Sequence, residues 1–558
     1  MVNQTLTAPG WKAWPTVSMD YLKITGGAVY DPANGVDGEV RDLWIADGQI
    51  VAAPTDPAVR PARTLDATGL VVMPGGVDMH CHIVGPAVNA ARLMTPQARR
   101  PPHVDAARPG LRSGTRGLVP STFTTGHLYA GLGYTTAFDA AIAPLAARHA
   151  HLEMADTPCL DKGFYVLVGN NRYALQCIER GEREQLRNFL AWLLERAGAY
   201  APKLVNPGGV EAWKRSPDGA KTGLDDPAPG YAITPRDVIR ELVAAANDLG
   251  LPHPAHIHCN QLGMPGNWTT TLETMRAIEG RRAHLTHIQF HSYGGGEEQA
   301  MCSRVAELAE YVNAHPELTV DVGQVMFGDA LALTADGGAG YFLHKLYGDR
   351  WTNIDVECEA GCGVTPIKYR RKSVVHALQW AIGLEWYLLV DDPWQVMMST
   401  DHPNGGSFLA YPQIIALLMD RGLRADMLAR CPAAVRERCQ LADLDREYTL
   451  GEIATITRAA PARALGLASK GHLGVGADAD VTIYTPSDDR QAMFELPRLV
   501  LKAGEIVVEQ GEVRTAPAGA TLRAPTKCED ATAEATIARW FETNYSLQLR
   551  NFGGAPAP

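Results

Sequence analysis

The strongest constraint on the fold of this chain is an alternation of short apolar runs with amphipathic stretches, repeated about eight times between Pro74 and Ala460. The runs fall at 75–82 (GGVDMHCH), 134–140, 164–169, 202–206, 254–260, 284–289, 318–324 and 395–401. Between several of them lie segments with apolar residues at helical spacing, such as 183–200 (REQLRNFLAWLLERAGAY) and 235–250 (PRDVIRELVAAANDLG). Strands separated by helices are parallel, and an eightfold count predicts a TIM-like (β/α)8 barrel, with an open doubly wound sheet as the alternative. No glycine-rich dinucleotide fingerprint follows the first run, which disfavours the open sheet.

The flanks have a different texture. Residues 21–72 alternate apolar runs with Gly, Asp and Pro turns, and the same pattern returns in ADVTIYTP and PRLVLKAGEIVVEQGEV. Each piece alone has few strands with which to bury a face, so the two are predicted to join in one composite β-sandwich. The expected organisation is therefore 1–72 and 461–525 as the two sandwich parts, 73–460 as the barrel, and 526–558 as a terminal helix and tail. A chain of 558 residues accommodates several such units. The intervals 83–133 and 325–394 exceed what barrel closure requires, and are expected to form lids, binding loops or partner surfaces.

Bulk properties remove other classes. A net charge of -11 argues against non-specific nucleic-acid binding. No apolar run reaches the roughly 18 residues of a membrane span, and the first residues lack a basic segment followed by an apolar one. The ten cysteines are scattered and read as free thiols of a cytoplasmic protein. Cys358 and Cys362 have no matching second pair, so they do not read as a four-ligand zinc site.

The chemistry-bearing residues lie at the ends of the apolar runs. On a strand, His80 and His82 point to one side and Cys81 to the other. Two such imidazoles are either a hydrogen-bonded turn pair or metal ligands, and the C-terminal end of a first barrel strand favours ligands. The fifth run offers His253, His256 and His258, the sixth region His284, His287 and His291, and the eighth Asp401 and His402. With 17 histidines in the chain, this concentration at strand ends points to a metal site. His258 and His287 sit where ligands belong; His256 and His291 read as structural or supporting. His402 faces away on an ideal strand unless the turn redirects it, and His149 and His151 read as helix or surface residues. Lys203 lies in the fourth run and is expected at a strand end, where a buried ammonium is costly unless its charge is removed or paired.

The strings LDATGLVVMPGGVDMHCH and TRAAPARALGLASKGHLGVGADADVTIY resemble the entry to and exit from the barrel in the amidohydrolase superfamily, and the likeness covers nearly the whole chain. PKLVNPGGVEAW, HIHCNQLGMPGN and HLTHIQFHSYGG resemble the A-subunit family of formylmethanofuran dehydrogenases and its bacterial counterpart, the hydrolytic subunit of formyltransferase/hydrolase complexes. The resemblance implies two divalent ions, zinc by expectation, on His80, His82, Lys203, His258, His287 and Asp401. It implies that Lys203 is carbamylated and bridges them; a lysine paired with a carboxylate is the alternative. Asp401 is then the catalytic proton shuttle, and the turn at 206–209 lies against the substrate. The implied reaction interconverts an N-formyl methanofuran-type carrier with formate and the free amine. The implied partners are the other subunits of such a complex and an acidic carrier tail, for which Arg99–Arg100, Arg281–Arg282 and Lys368–Lys372 are candidate contacts. The competing readings are a dihydropyrimidinase- or hydantoinase-like cyclic amidohydrolase and a non-catalytic scaffold, the latter expected to have lost ligands.

Overall fold

The computed structural model describes residues 20–95, 118–210, 223–297, 300–348, 350–354 and 362–553. Arg99, Arg100, Cys358 and the side chain of Cys362 lie outside the described residues. The first strands are β1 (Leu22–Asp31), β2 (Val36–Ala46), β3 (Gln49–Val51), β4 (Arg63–Asp66) and β5 (Val71–Pro74). The last are β19 (Val481–Tyr484), β20 (Leu499–Lys502), β21 (Glu505–Glu509) and β22 (Glu512–Val513). Both groups form one nine-stranded sheet, in the order β22-β21-β20-β19-β5-β1-β2-β3 with β4 beside β1. The junction is the antiparallel pairing of β5 with β19, for example Thr482 with Met73. Its apolar core, including Ile24, Val72, Val481 and Leu501, draws on both ends of the chain.

Between them lie eight parallel strands: β6 (Gly76–Cys81), β7 (Tyr134–Ile142), β8 (Asp161–Leu167), β9 (Ala201–Val205), β10 (Ala255–His258), β11 (Ala283–Leu285), β14 (Leu318–Asp321) and β18 (Val396–Met397). They are hydrogen-bonded in sequence order. A short antiparallel ribbon, β12 (Tyr293–Gly294) with β13 (Cys302–Ser303), follows β11. Beyond β18 the chain bridges in parallel from His402 to Cys81, which links the two edges of the sheet at its C-terminal end. Each apolar run read from the sequence supplies one of the eight strands, and the two amphipathic stretches are the helices Arg183–Ala197 and Pro235–Asp248. The second has a capping box from Thr234 and Asp237, which satisfies amides that the first helical turn leaves free.

The sandwich is tied to the barrel by buried charge. Lys470 and Lys502 contact both Asp161 on β8 and Asp480, at 2.5–3.0 Å. Four charges pairing with one another in this way remove the large cost of burying any one alone.

The long interval 325–394 is structured, not an open loop. It holds an antiparallel sheet, β15 (Gly328–Thr334), β17 (Cys362–Tyr369) and β16 (Thr352–Ile354), the helix Gly337–Tyr347 and the barrel helix Val374–Leu389. Interval 83–133 contributes the helices Pro86–Met94 and Thr122–Gly131. The eight cysteines with described side chains are all unpaired. Among the described residues no helix is long and apolar enough to cross a membrane.

Candidate metal centre

The C-terminal ends of the strands open into a cavity of about 280 Å³, and His80, His82, Lys203, His258, His287 and Asp401 all line it. These six residues come from β6, β9, β10 and the segments after β6, β11 and β18. His80 Nε2 and His82 Nε2 lie 2.9 and 3.1 Å from Asp401 Oδ1. The backbone at two of the positions is left-handed, φ +36° at His287 and +50° at Asp401. For residues with a Cβ this costs free energy, and the surroundings must hold it. Here the His287 amide donates to Asp321 Oδ1 at 3.2 Å, and the Asp401 carbonyl accepts from the Asn404 amide at 2.6 Å.

Five of the six end in buried atoms without a hydrogen-bond partner: His80 Nε2, Lys203 Nζ, His258 Nε2, His287 Nδ1 and Asp401 Oδ1. One orphaned polar atom is unusual in a folded core, since each costs about 1–3 kcal/mol. Five around one cavity fit a cation that would satisfy them together. His80, His287 and Asp401 bring ligand atoms within 4.8 Å of one another, as do His258, His287 and His291. Imidazole nitrogen and carboxylate oxygen are the donors divalent zinc-like ions take.

Electrostatics divide the site in two. Burial penalises charge on Asp401, but His80 and His287 outweigh it, and the carboxyl is held well below its ordinary range. Burial likewise opposes a proton on His80, whereas Asp321 and Asp401 favour it, and its affinity for a proton is raised overall. Burial pushes His287 down to about 3 and His258 well below the usual range, so both rings are neutral and free to ligate. Lys203 is brought down to about 7, chiefly by burial. A substantial fraction is therefore uncharged amine near neutral pH.

Three residues matter more here than their sequence context indicates. His291, expected to be structural, has no partner on either ring nitrogen, and its ring stacks on His287 at 5.3 Å. The available signal is its i+4 spacing from His287, which the 3₁₀ turn Ile288–His291 brings to the same side. Asp321, not singled out by any motif, accepts from Ser399 Oγ at 2.6 Å and faces His284 Nε2 at 3.0 Å, beneath the six cavity residues. Asp336 belongs to the insertion and comes to 4.0 Å from His258 Nε2. His256 Nε2 lies 2.9 Å from His80 Nδ1, and His80, His256 and Asp321 also bring ligand atoms within 4.8 Å of one another. His402 is buried with its ring against Phe408 and is not among the residues lining the cavity. His151 is on a helix as expected but is buried, facing the Ala197 carbonyl at 2.9 Å.

Above the six residues the cavity wall is mostly apolar, with Leu262, Met264, Phe290, Met301, Phe342 and Tyr369 prominent. Lys368 and Arg370 flank Tyr369 and are exposed, placing the KYRRK cluster next to the cavity wall. Arg281 and Arg282 lie elsewhere. They precede β11 at the opposite end of the barrel, where Arg282 donates to the Pro252 carbonyl at 2.8 Å. As contacts for a ligand entering this cavity, they are excluded by position.

Residues 63–508 match the profile of the Amidohydrolase family, and the chain belongs to that family, whose members bind divalent metal. It is similar to the protein FwdA of Methanocaldococcus jannaschii, 43% identical over 556 residues and covering 96% of each chain. It is also 41% identical over 544 residues to the A-subunit of the formyltransferase/hydrolase complex Fhc of Methylorubrum extorquens, covering 95% of this chain and 96% of that one. Among solved structures it matches a chain of the formyltransferase/hydrolase complex FhcABCD from Methylorubrum extorquens, crystallised with methylofuran. The TM-score is 0.89 at 40% identity, with 96% of both chains covered. The family likeness read from the motifs therefore holds over about 96% of the chain.

Proposed function

We propose that this chain is a metal-dependent amide hydrolase that interconverts an N-formylated methanofuran-type carrier with formate and the free amine, as one subunit of a larger complex. The observation that carries the proposal is the convergence of His80, His82, Lys203, His258, His287 and Asp401 on one cavity, five of them with orphaned buried atoms. The similarity to FwdA and to the Fhc A-subunit supplies the substrate class and the complex.

His80, His82, His258, His287 and Asp401 would hold two divalent ions, with zinc matching the donor set. Carbamylated Lys203 would supply the shared anionic ligand. Such a centre contributes Lewis acidity and a water acidified to near-neutral pKa. Lys203 is suited to carbamylation: its amine is buried, unpartnered and partly neutral, so it can add CO2 and become a carboxylate-like ligand. Asp401 accepts the proton of the attacking water and delivers it to the leaving nitrogen, because an amide anion departs poorly. The apolar wall around Phe290, Met301 and Phe342 excludes bulk water and suits a flat aromatic arm bearing the formamide. Lys368, Arg370 and Arg371 are positioned to meet an acidic tail outside the cavity. A cytoplasmic location is supported by the cysteines, of which the eight with described side chains are all unpaired.

A cyclic-amide hydrolase is the competing chemistry. The purified metal-loaded chain, offered N-formylfurfurylamine, hydantoin and dihydrouracil in parallel, is expected to release formate and open neither ring. Ring opening without formate release overturns the proposal.

A further inference from the structure

Three buried imidazoles form a continuous hydrogen-bonded chain inside the barrel beneath the candidate metal centre. His253 Nδ1 lies 2.8 Å from the Ala464 carbonyl oxygen. His253 Nε2 lies 2.9 Å from His256 Nδ1, and His256 Nε2 lies 2.9 Å from His80 Nδ1. All three rings are fully buried. We propose that His253 and His256 are positioning residues, which keep the hydrogen of His80 on Nδ1 and so leave its Nε2 lone pair facing the metal. This rests on the reading of His80 as a metal ligand.

The direction of the chain follows from its lower end. A carbonyl oxygen only accepts, so His253 Nδ1 carries the hydrogen. Among the described residues no carboxylate lies within hydrogen-bond distance of His253 or His256; the nearest contact is Asp321 Oδ2, 4.0 Å from His256 Nε2. With no counter-charge in contact, these buried rings stay neutral, with one N–H each. His253 Nε2 must then accept, which puts the hydrogen of His256 on Nδ1. His256 Nε2 accepts in turn, and the hydrogen it receives is that of His80 Nδ1.

The other groups facing His80 Nδ1 agree with this direction. Thr286 Oγ1 is in hydrogen-bond contact and Asp321 Oδ2 is at 3.5 Å, and both can accept. The Nε2 side of His80 faces Asp401 Oδ1 at 2.9 Å, without the alignment of a hydrogen bond, as two ligands of one ion would sit. The rings are also fixed in plane. Tyr165 stacks on His253 with centroids 5.3 Å apart, and His284 stacks on His256 at 4.6 Å. The proton position of a ligand at the barrel mouth is thus set by a backbone carbonyl in the helix Ala460–Leu465, at the far end of the histidine chain.

The test is Co²⁺ binding by the metal-free full-length chain, read from its visible absorption in competition with a chelator. His253→Phe retains the aromatic stack and removes the acceptor for His256. It is expected to weaken Co²⁺ binding about 10–100-fold and to change the absorption envelope, as loss of an outer-sphere partner does. Tyr200→Phe is the structural control. It removes a similarly buried bond, Tyr200 Oη to the Leu465 carbonyl at 2.6 Å, with no connection to His80, and should leave Co²⁺ binding unchanged. His253→Gln, which restores an acceptor, should recover most of the affinity and also serves if the Phe variant does not fold. Equal Co²⁺ affinity in wild type and His253→Phe, or equal losses in His253→Phe and Tyr200→Phe, overturns the positioning role. Failure of the wild-type chain to bind Co²⁺ overturns the metal reading of His80 and this inference with it.

Discussion

The amide of His82 donates to the carbonyl of His402 at 2.7 Å. This bond joins the end of the first barrel strand to the extension of the last, directly beside the residues that bring His80, His82 and Asp401 together. Residues far apart in sequence thereby present three side chains to one point.

A neighbouring close approach gives a stability prediction. Gly323 has φ +66°, and a Cβ there would sit 2.5 Å from the Cβ of His287. Gly323→Ala must move His287 and adopt a conformation unfavourable for alanine, at a combined cost of about 1–3 kcal/mol. Urea denaturation should show that loss, and metal content should fall with it, because His287 is displaced from the cavity.

Lys203 gives a pH prediction. Its ammonium is ordinarily stable to about 10.5, and burial brings the value down to about 7. The neutral amine, which adds CO2, therefore grows as pH rises through 7 and is scarce below it. Reactivation of metal-free protein by zinc at fixed dissolved CO2 should rise with a midpoint near pH 7. A midpoint close to the ordinary lysine value would contradict this. Lys203→Ala should be inactive and partly rescued by a short carboxylate added with metal.

Asp401→Asn preserves the shape of the side chain and removes its basicity. Formate release should fall by at least about 10²–10⁴-fold, the usual contribution of a general acid–base group. Much of the metal should be retained, since the other ligands remain. Turnover within about threefold of wild type at equal metal content would remove Asp401 from proton transfer, given that usual contribution.

The exposed cluster beside Tyr369 predicts a split between substrates. Replacing Lys368, Arg370 and Arg371 with Ala should raise KM for a carrier with an acidic tail and leave a tail-less N-formyl amine unaffected. Added salt should reduce the difference, since interactions between exposed charges are screened. Equal kinetics on both substrates would separate the cluster from the tail.

The barrel was legible because each of its strands is an apolar run ended by polar or turn residues, and the composite sandwich because neither end could bury a face alone. Six cavity residues were legible because strand ends are fixed by that pattern. His291 was not, because its approach depends on the left-handed turn at His287, which periodicity does not encode. Asp321 and the chain through His253 and His256 depend on how strands face one another across the barrel interior, a long-range property. The sheet in 325–394 was missed because β15 and β17 pair across the intervening helix Gly337–Tyr347, a long-range contact, and because Pro366 inside β17 reads against a strand. Asp336 came from that same insertion and was missed with it.

Anomalous scattering at the zinc edge, measured on crystals of active, metal-loaded protein, decides whether a bridged two-metal centre exists. Two peaks are predicted inside the cavity lined by His80, His82, Lys203, His258, His287 and Asp401, with electron density for a carbamate extending Lys203 between them. A single peak beside an unmodified Lys203 amine, or no metal in active protein, would contradict that prediction.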